Sequence, residues 1–184
     1  YIQQTHSTDC VKVDKVLKGL EAPFADAQWT MHTNIMVTTM TADCAPILVA
    51  FPKSRIVGAI HAGWKGALNG IVGVFLEHVS PYLKEDVANA IVAIGPHICS
   101  KNLEFNGPEL DLWEKKFPEA IQTENGKHTI NLSIKLLHDL KKVRRENIWI
   151  SPQCTFEESE NFFSHRRQKD MAGRQIGFIG LSLP

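Results

Sequence analysis

Three short apolar runs rich in β-branched residues follow one another closely in the first third of the chain. They cover 35–40, 47–51 and 56–60, and only a few residues separate each run from the next. Runs of this length and composition, bounded by turn-forming residues, are typical of buried strands. We therefore expect three adjacent strands in one sheet, which requires a fold built around that sheet.

The rest of the chain mixes helical and strand patterns. Apolar residues at three- and four-residue spacing predict one helix over 68–79, a second that opens at Gly107-Pro108, and a third that Asn131 caps. Because strands and helices do not alternate strictly, the pattern favours a layered α+β fold over a doubly wound parallel sheet. Further strand patterns cover 11–13, 90–94, 148–150 and 175–181.

Length and charge narrow the function classes. The 184 residues fit one domain with a sizeable core, here taken as 1–184. Basic residues number 20 and acidic residues also number 20, so no net positive field favours nucleic acid or an anionic membrane. No apolar run approaches the ~18 residues of a membrane helix. The four cysteines are scattered without a CxxC pair, which predicts reduced thiols and a cytoplasmic protein.

Two motifs lie where predicted strands meet turns. TADCAP covers 41–46 and IHAGWKG covers 60–66, so Cys44 and His61 stand 17 positions apart (61 − 44). A thiolate and an imidazole brought together by one strand–turn–strand unit can bind a transition metal. They can equally act as a nucleophile and its base. The two motifs alone leave both possibilities open.

Each of these residues also has a structural interpretation. A cysteine in an apolar run is most often a small core residue, and a lone histidine at a strand end is more often hydrogen-bonded structure than a ligand. Asp43 and Pro46 indicate that the strand is ending, so Cys44 can face a pocket. Asp43 would point to the opposite face of a regular strand. It is a candidate acid/base group only where the turn has already begun.

Residues next to these motifs supply further candidates. Gly63 and Gly66 flank Trp64 and Lys65, and glycines let the backbone approach a ligand closely. Trp64 offers an apolar wall that can stack on a flat ring. His6 lies in a polar stretch and on composition is as well explained as an exposed loop residue. With Cys44 and His61 it would complete the three protein ligands usual for a catalytic zinc with an open fourth position.

A pair of arginines near the C-terminus is a candidate anion site. Arg166 and Arg167 follow two phenylalanines, and a Gly-Arg turn comes shortly after them at 173–174. Arginine clusters are often solvated surface, but guanidinium groups in this setting would also suit phosphate.

Together these segments resemble the laccase-domain family, also called YfiH-like or peptidoglycan-editing-factor proteins, whose members include purine nucleoside phosphorylases. The resemblance implies an αββα-type sandwich of layered mixed sheets flanked by helices. It also implies a zinc site with His6, Cys44 and His61 as ligands. The matching segments are QTHS at 4–7, TADCAPIL at 41–48, AIHAGWKG at 59–66, IGPHI at 94–98, CT at 154–155, FFSHRR at 162–167 and GR at 173–174.

The activity implied by the resemblance is phosphorolysis of purine nucleosides, namely adenosine, inosine, guanosine and methylthioadenosine, with adenosine deamination as a companion reaction. The partners would be a small nucleoside and phosphate, and nothing in the sequence fixes an oligomeric state. Some family members are described as copper-dependent polyphenol oxidases, so copper is an alternative metal. The chain departs from the family in lacking an N-terminal segment with an Arg-Gly-Gly-like motif, and His97 stands where a cysteine is common.

Two other function classes are open. A metal-free amidase acting on a peptidoglycan precursor would use Cys44 as nucleophile and His61 as base. His6 separates the two enzyme classes, because a dyad has little need of it whereas a three-ligand site requires it. A binding module with a purely structural metal would have its fourth coordination position closed by His97 or Cys99.

Overall fold

A computed structural model of the chain describes residues 1–15 and 22–182. The strands within these ranges are β1 (Cys10–Lys12), β2 (Ala27–Thr30), β3 (Met36–Thr41), β4 (Ala45–Phe51), β5 (Ile56–Ala62), β6 (Ile91–Ile94), β7 (Ile121–Glu124), β8 (Lys127–Ile130), β9 (Ile148–Ile150) and β10 (Gln175–Gly180). The α-helices within them are α1 (Trp64–Leu68), α2 (Ile71–Val79), α3 (Pro108–Lys116), α4 (Leu132–Asp139) and α5 (His165–Gln168).

The main sheet has six strands in the order β1-β2-β5-β4-β6-β9. The central pairs β2–β5, β5–β4 and β4–β6 are antiparallel. The two outer pairs, β1–β2 and β6–β9, are parallel. Because β6 and β9 run side by side in the same direction, the segments that follow them also leave the sheet together, and His97 bridges to Cys154 there.

Strand β3 lies in a different sheet from the one predicted. It pairs with β10 in a separate antiparallel two-stranded sheet. The prediction of three adjacent strands in one sheet is correct for β4 and β5 and wrong for β3. The cause is the tight bend between Thr41 and Ala45, where Asp43 adopts a φ of 94°. This left-handed conformation, uncommon outside glycine, redirects the chain from the small sheet into the main sheet.

The two faces of the main sheet are covered differently. On one face, Trp29 and Ile60 pack with Phe75 of α2 in the principal core. On the other face, Val57 and Ala59 of β5 pack with Val37 of β3, so the small sheet stacks on the main one. The result is the layered α+β architecture predicted from the sequence. The outward face of the small sheet carries the exposed side chains Met36, Ile176 and Phe178.

The three predicted helical segments are present, with two differences from the sequence predictions. The single helix expected over 68–79 is two helices, because Gly70 adopts a φ of 84° and separates α1 from α2. Helix α3 begins at Pro108 as predicted. Helix α4 follows Asn131, although the Asn131 side chain makes no capping hydrogen bond. Within 1–15 and 22–182, no helix combines the length and the apolar character that a membrane-spanning helix needs.

Candidate metal centre

Cys44 and His61 meet at one end of the β4–β5 pair. In this antiparallel ladder Ala45 faces Ala62 and Pro46 faces His61, so Cys44 lies directly beyond the last pair. Side chains alternate along a strand, which places His61 on the same face of β5 as Val57 and Ala59. That face is turned towards the small sheet. The site therefore lies where the two stacked sheets diverge.

His6 joins this pair from the N-terminal loop. Its Nε2 atom lies 3.7 Å from Cys44 Sγ, and its ring meets the His61 ring edge-on with centroids 4.8 Å apart. One donor atom from each of the three residues lies within 4.8 Å of the other two. The fold thus brings together the three side chains that the sequence singled out, although 55 positions separate His6 from His61 (61 − 6).

A buried carboxylate that the sequence reasoning missed organises the site. Asp26 has no exposed surface, and its Oδ1 lies 2.7 Å from His61 Nδ1. The same carboxylate accepts hydrogen bonds from the backbone N–H groups of Thr5, His6 and Ser7. One side chain therefore orients His61 and also fixes the loop that carries His6. The available signal was an aspartate isolated within the apolar stretch FADAQW at 24–29.

The electrostatics of the metal-free site favour a histidinium–thiolate pair. Burial would raise the pKa of the Cys44 thiol, but hydrogen bonding to His6 and His61 lowers it to about 7. Burial also opposes protonation of His61, yet its hydrogen bonds to Asp26 and Cys44 raise its pKa to about 9. Although burial works against ionisation of Asp26 too, hydrogen bonds from His61, Ser7 and Thr5 hold its pKa well below the ordinary value.

The donor set and its spacing fit a zinc ion. One thiolate and two imidazoles are ligands that zinc prefers, and a tetrahedral zinc would separate its sulfur and nitrogen ligands by about 3.6 Å. The observed 3.7 Å between Cys44 Sγ and His6 Nε2 agrees with that spacing. Gly63 makes the approach possible, since a Cβ there would lie 2.5 Å from His6 Cδ2 and 3.1 Å from Cys44 Sγ. The Asp26–His61 contact supplies the carboxylate support that metal-binding histidines commonly have.

Asp43 lies in the turn, and its side chain is already engaged. Its Oδ1 accepts a hydrogen bond of 2.8 Å from the Thr155 hydroxyl, and its Oδ2 accepts one of 2.6 Å from the backbone N–H of Arg166. Its backbone carbonyl accepts from the N–H of Ile98. Asp43 therefore connects the Cys44 turn to three distant segments, which suits a positioning role better than the acid/base role considered from sequence.

A cavity of about 670 Å³ opens in front of the three donors. Trp64 and Phe105 form an aromatic wall with ring centroids 5.1 Å apart. Lys65 and Arg166 also line the cavity, and so does Arg174, which the sequence analysis noted only as part of a turn. The cavity has the size and the mixture of aromatic and cationic groups expected of a small-molecule site.

Arg167, in contrast, does not line this cavity. Its guanidinium group donates hydrogen bonds to the backbone carbonyls of Thr155, Phe156 and Phe162. Its position is explained by support of the loop before α5, so the predicted phosphate role for Arg167 receives no support from its surroundings.

The two residues considered for a closed fourth coordination position lie elsewhere. His97 bonds through its two ring nitrogens to the Gly95 carbonyl and the Ser133 hydroxyl. Cys99 contacts Cys154. Neither residue lines the cavity at the three donors. A fourth coordination position closed by His97 or Cys99, which would have favoured a purely structural metal, is therefore not observed.

Comparisons with known proteins identify the family of the chain. The family model described as multi-copper polyphenol oxidoreductase laccase matches residues 1–182. The chain belongs to this laccase-domain family. It is 31% identical over 200 residues to the purine nucleoside phosphorylase YlmD of Geobacillus stearothermophilus, covering 97% of this chain and 70% of that protein. It is 32% identical over 190 residues to a purine nucleoside phosphorylase of Haemophilus influenzae, covering 97% and 72%.

Solved structures show the same fold. The crystal structure of YfiH from Bacillus licheniformis superposes with a TM-score of 0.87 at 26% identity, and the match covers 99% of this laccase-domain chain and 73% of that one. The structure of Geobacillus stearothermophilus YlmD gives a TM-score of 0.86 at 29% identity, covering 99% and 73%. The layered architecture described above is therefore that of the YfiH-like proteins.

Proposed function

We propose that this laccase-domain protein is a zinc-dependent purine nucleoside phosphorylase. The observation that carries the proposal is the convergence of His6, Cys44 and His61 on one cavity that also presents aromatic and cationic side chains. The relatives named as purine nucleoside phosphorylases support it at about 30% identity across nearly the whole chain.

His6, Cys44 and His61 would hold the zinc, which when bound supplies a Lewis acid at the floor of the cavity. Within this arrangement Asp26 keeps His61 in the tautomer that carries its proton on Nδ1, leaving Nε2 for the metal. By fixing the N–H groups of Thr5, His6 and Ser7, Asp26 also determines how far His6 reaches into the site.

The aromatic wall is proposed to bind the purine. Trp64 and Phe105 present flat apolar surface, and stacking a base on such rings contributes about 1–3 kcal/mol. Stacking depends little on which base is present, so this wall would take adenosine, inosine, guanosine and methylthioadenosine alike. The purine would then lie beside the three donors, with its ribose towards the cationic side of the cavity.

The cationic side chains are proposed to bind phosphate. Arg166 lines the cavity, and its position is set by the hydrogen bond from its backbone N–H to Asp43. Arg174 and Lys65 add positive charge to the same cavity. Guanidinium groups match phosphate geometry, and an anion held there would be placed to attack the ribose C1′ as the glycosidic bond breaks. Arg167 has no part in this proposal.

Adenosine deamination is proposed as a companion activity of the same cavity. Water rather than phosphate is then the co-substrate, and the products are inosine and ammonia. Asp43 is assigned to positioning, because the Thr155 hydroxyl and the Arg166 N–H occupy its two carboxylate oxygens.

The test is an assay of the purified, zinc-loaded protein with inosine, with and without phosphate. The proposal requires phosphate-dependent release of hypoxanthine and ribose 1-phosphate, and its loss in His6→Ala. The matched control is His32→Ala, which changes an exposed histidine that contacts Asp14. Zinc bound at the three donors without any phosphate-dependent turnover of a purine nucleoside would contradict the proposal.

A cysteine amidase is the second candidate, favoured by one specific observation. Asp26 contacts His61 at 2.7 Å, and the donor atoms of His61 and Cys44 lie within 4.8 Å of each other, so a carboxylate, an imidazole and a thiol follow one another in space. This is the order of groups that cysteine hydrolases use. Amidase activity on a peptidoglycan-precursor amide would persist after complete removal of metal and in the His6→Ala variant. Phosphorylase activity would be lost in both cases.

A further inference from the structure

A second cluster of reactive side chains lies behind the Asp43 turn and has no part in the proposed function. Cys99 and Cys154 are 55 residues apart, yet their sulfur atoms lie 2.8 Å apart. Both are free thiols, Cys154 buried and Cys99 half-buried. The parallel pairing of β6 with β9 brings them together, because each cysteine lies a few residues beyond one of these strands.

The two thiols have different surroundings. Cys154 Sγ accepts a hydrogen bond from the backbone N–H of Cys99, and the backbone N–H groups of Phe156 and Glu157 also point to it. Although burial opposes ionisation, the donors from the Cys99 side chain and these backbone groups lower the pKa of Cys154. Burial, together with hydrogen bonding to Cys154, raises the pKa of Cys99. Cys154 is therefore the more readily ionised thiol of the pair and Cys99 the less readily ionised one.

Glu157 completes the cluster but suits a metal poorly. Its Oε1 already lies 2.7 Å from Lys101 Nζ and accepts a hydrogen bond of 2.8 Å from Asn102 Nδ2. A metal bound at Oε1 would compete with both of these contacts. Two thiolates on one tetrahedral zinc also stand about 3.8 Å apart, well beyond the 2.8 Å between Cys99 and Cys154. The spacing and the neighbouring cation favour sulfur–sulfur chemistry instead.

The pair is linked to the cavity through its sequence neighbours. Ile98, next to Cys99, donates its backbone N–H to the carbonyl of Asp43 at 3.0 Å. Thr155, next to Cys154, donates its hydroxyl to the Asp43 carboxylate at 2.8 Å. Two of the three segments that hold the Asp43 turn therefore carry a cysteine of the pair, and the residue after Asp43 is the candidate metal ligand Cys44.

We propose that Cys99 and Cys154 form a redox-active pair that closes to a disulfide and thereby changes the Asp43 turn at the edge of the cavity. Hydroperoxides are the oxidant class, and the step is written for hydrogen peroxide. The Cys154 thiolate attacks one peroxide oxygen, the O–O bond breaks, and the leaving hydroxide takes a proton to form water. Cys99 loses its proton and attacks the Cys154 sulfenic acid, and a second water leaves. A small dithiol reverses the step by thiol–disulfide exchange.

The test begins with zinc-loaded, reduced protein treated with stepwise hydrogen peroxide, alkylated and mapped by mass spectrometry. We expect a Cys99–Cys154 peptide pair that dithiothreitol releases. Cys10 should stay reduced, since burial raises its pKa to about 12. In Cys99→Ser, Cys154 should stop at a sulfenic acid that dimedone traps. Oxidation of Cys154 to sulfinic acid without the disulfide, in wild-type protein, would overturn the proposal.

Two further measurements complete the test. Hydrogen exchange of the 41–46 segment should differ between oxidised and reduced wild-type protein but not in Cys99→Ser treated in the same way. A disulfide that leaves this exchange unchanged would refute the link to the cavity. If His6→Ala protein still binds zinc, and adding Cys99→Ser to it abolishes that binding, the cluster is a second metal site and the redox assignment is wrong. Neither measurement requires phosphorolysis, so the two proposals fail separately.

Discussion

Asp26 and His61 are joined by a contact of 2.7 Å between Oδ1 and Nδ1, in a part of the protein where both side chains are buried. The same carboxylate accepts the backbone N–H groups of the loop that carries His6. Asp26 is thus shared by two of the three candidate metal ligands without being a ligand itself. A single substitution there should disturb both histidines at once.

Replacing Asp26 with asparagine should weaken metal binding without removing any donor atom. Loss of a carboxylate that supports a metal-binding histidine typically lowers metal affinity about 10- to 100-fold. The folded protein should also lose roughly 3 kcal/mol of stability, because the amide cannot replace a buried carboxylate that accepts several hydrogen bonds. Chelator competition and urea unfolding measure the two effects. Asp9→Asn, an exposed change nearby, is the control, and equal effects in the two variants would contradict this role.

The stability difference between wild type and Asp26→Asn should depend on pH in metal-free protein. The lowered pKa of Asp26 stabilises the fold fully above the ordinary aspartate pKa of about 3.9, and this contribution is lost as the pH falls below that value. Because folding raises the pKa of His61, its interactions stabilise the fold fully below pH 6.5 or so, the ordinary histidine pKa being about 6.5. This contribution is lost as the pH rises through about 9. Urea unfolding from pH 3 to pH 9 should show the widest difference between about pH 5 and 6. A difference that does not vary with pH would exclude the ion pair.

Substitution of Gly63 by alanine should damage the site while leaving the fold intact. The backbone at Gly63 has a φ of −70°, which alanine adopts readily, but the added Cβ would lie 2.5 Å from His6 Cδ2. We expect His6 to move and metal affinity to fall at least about 10-fold. Gly73→Ala is the matched control, because a Cβ there has no neighbour within 4 Å. It should keep metal affinity and gain about 0.5–1 kcal/mol from helix propensity.

The neighbouring arginines should differ in their effects when each is changed to methionine. Arg166→Met removes a cation from the cavity, so the KM for phosphate should rise about 10- to 100-fold while the metal content stays the same. Arg167→Met removes the donors to three backbone carbonyls, so it should lower the free energy of unfolding by about 2–4 kcal/mol. Steady-state kinetics and urea unfolding of both variants check this. The reverse assignment would show that Arg167 serves the substrate.

Local patterns were sufficient to predict much of the fold and two residues of the site. The β4 and β5 strands, the Pro108 helix start and the convergence of Cys44 with His61 all depend on residues close in sequence. The family motifs added His6. Cys44 and His61 converge for a local reason, because a short antiparallel strand pair places its two ends together independently of the rest of the chain.

The features that sequence reasoning missed depend on distant contacts. Asp26 reaches its partners only because β1 pairs in parallel with β2, which carries the N-terminal loop across the site. The positive φ at Asp43 sends β3 into the other sheet, and this bend is a property of the turn between the strands, not of the strand pattern itself. The separate environments of Arg166 and Arg167 arise from the turn before α5. Adjacent residues of one type can therefore have unrelated roles.

The most direct test of the proposed zinc site is the metal content of purified protein by inductively coupled plasma mass spectrometry. Wild-type protein expressed in zinc- and copper-supplemented medium, without chelator, should carry about one zinc per chain, as a three-ligand catalytic site requires. His6→Ala and Cys44→Ser should each carry less than about a tenth of that, while His32→Ala should match wild type. Copper in place of zinc, or zinc retained in full by both ligand variants, would contradict the assignment.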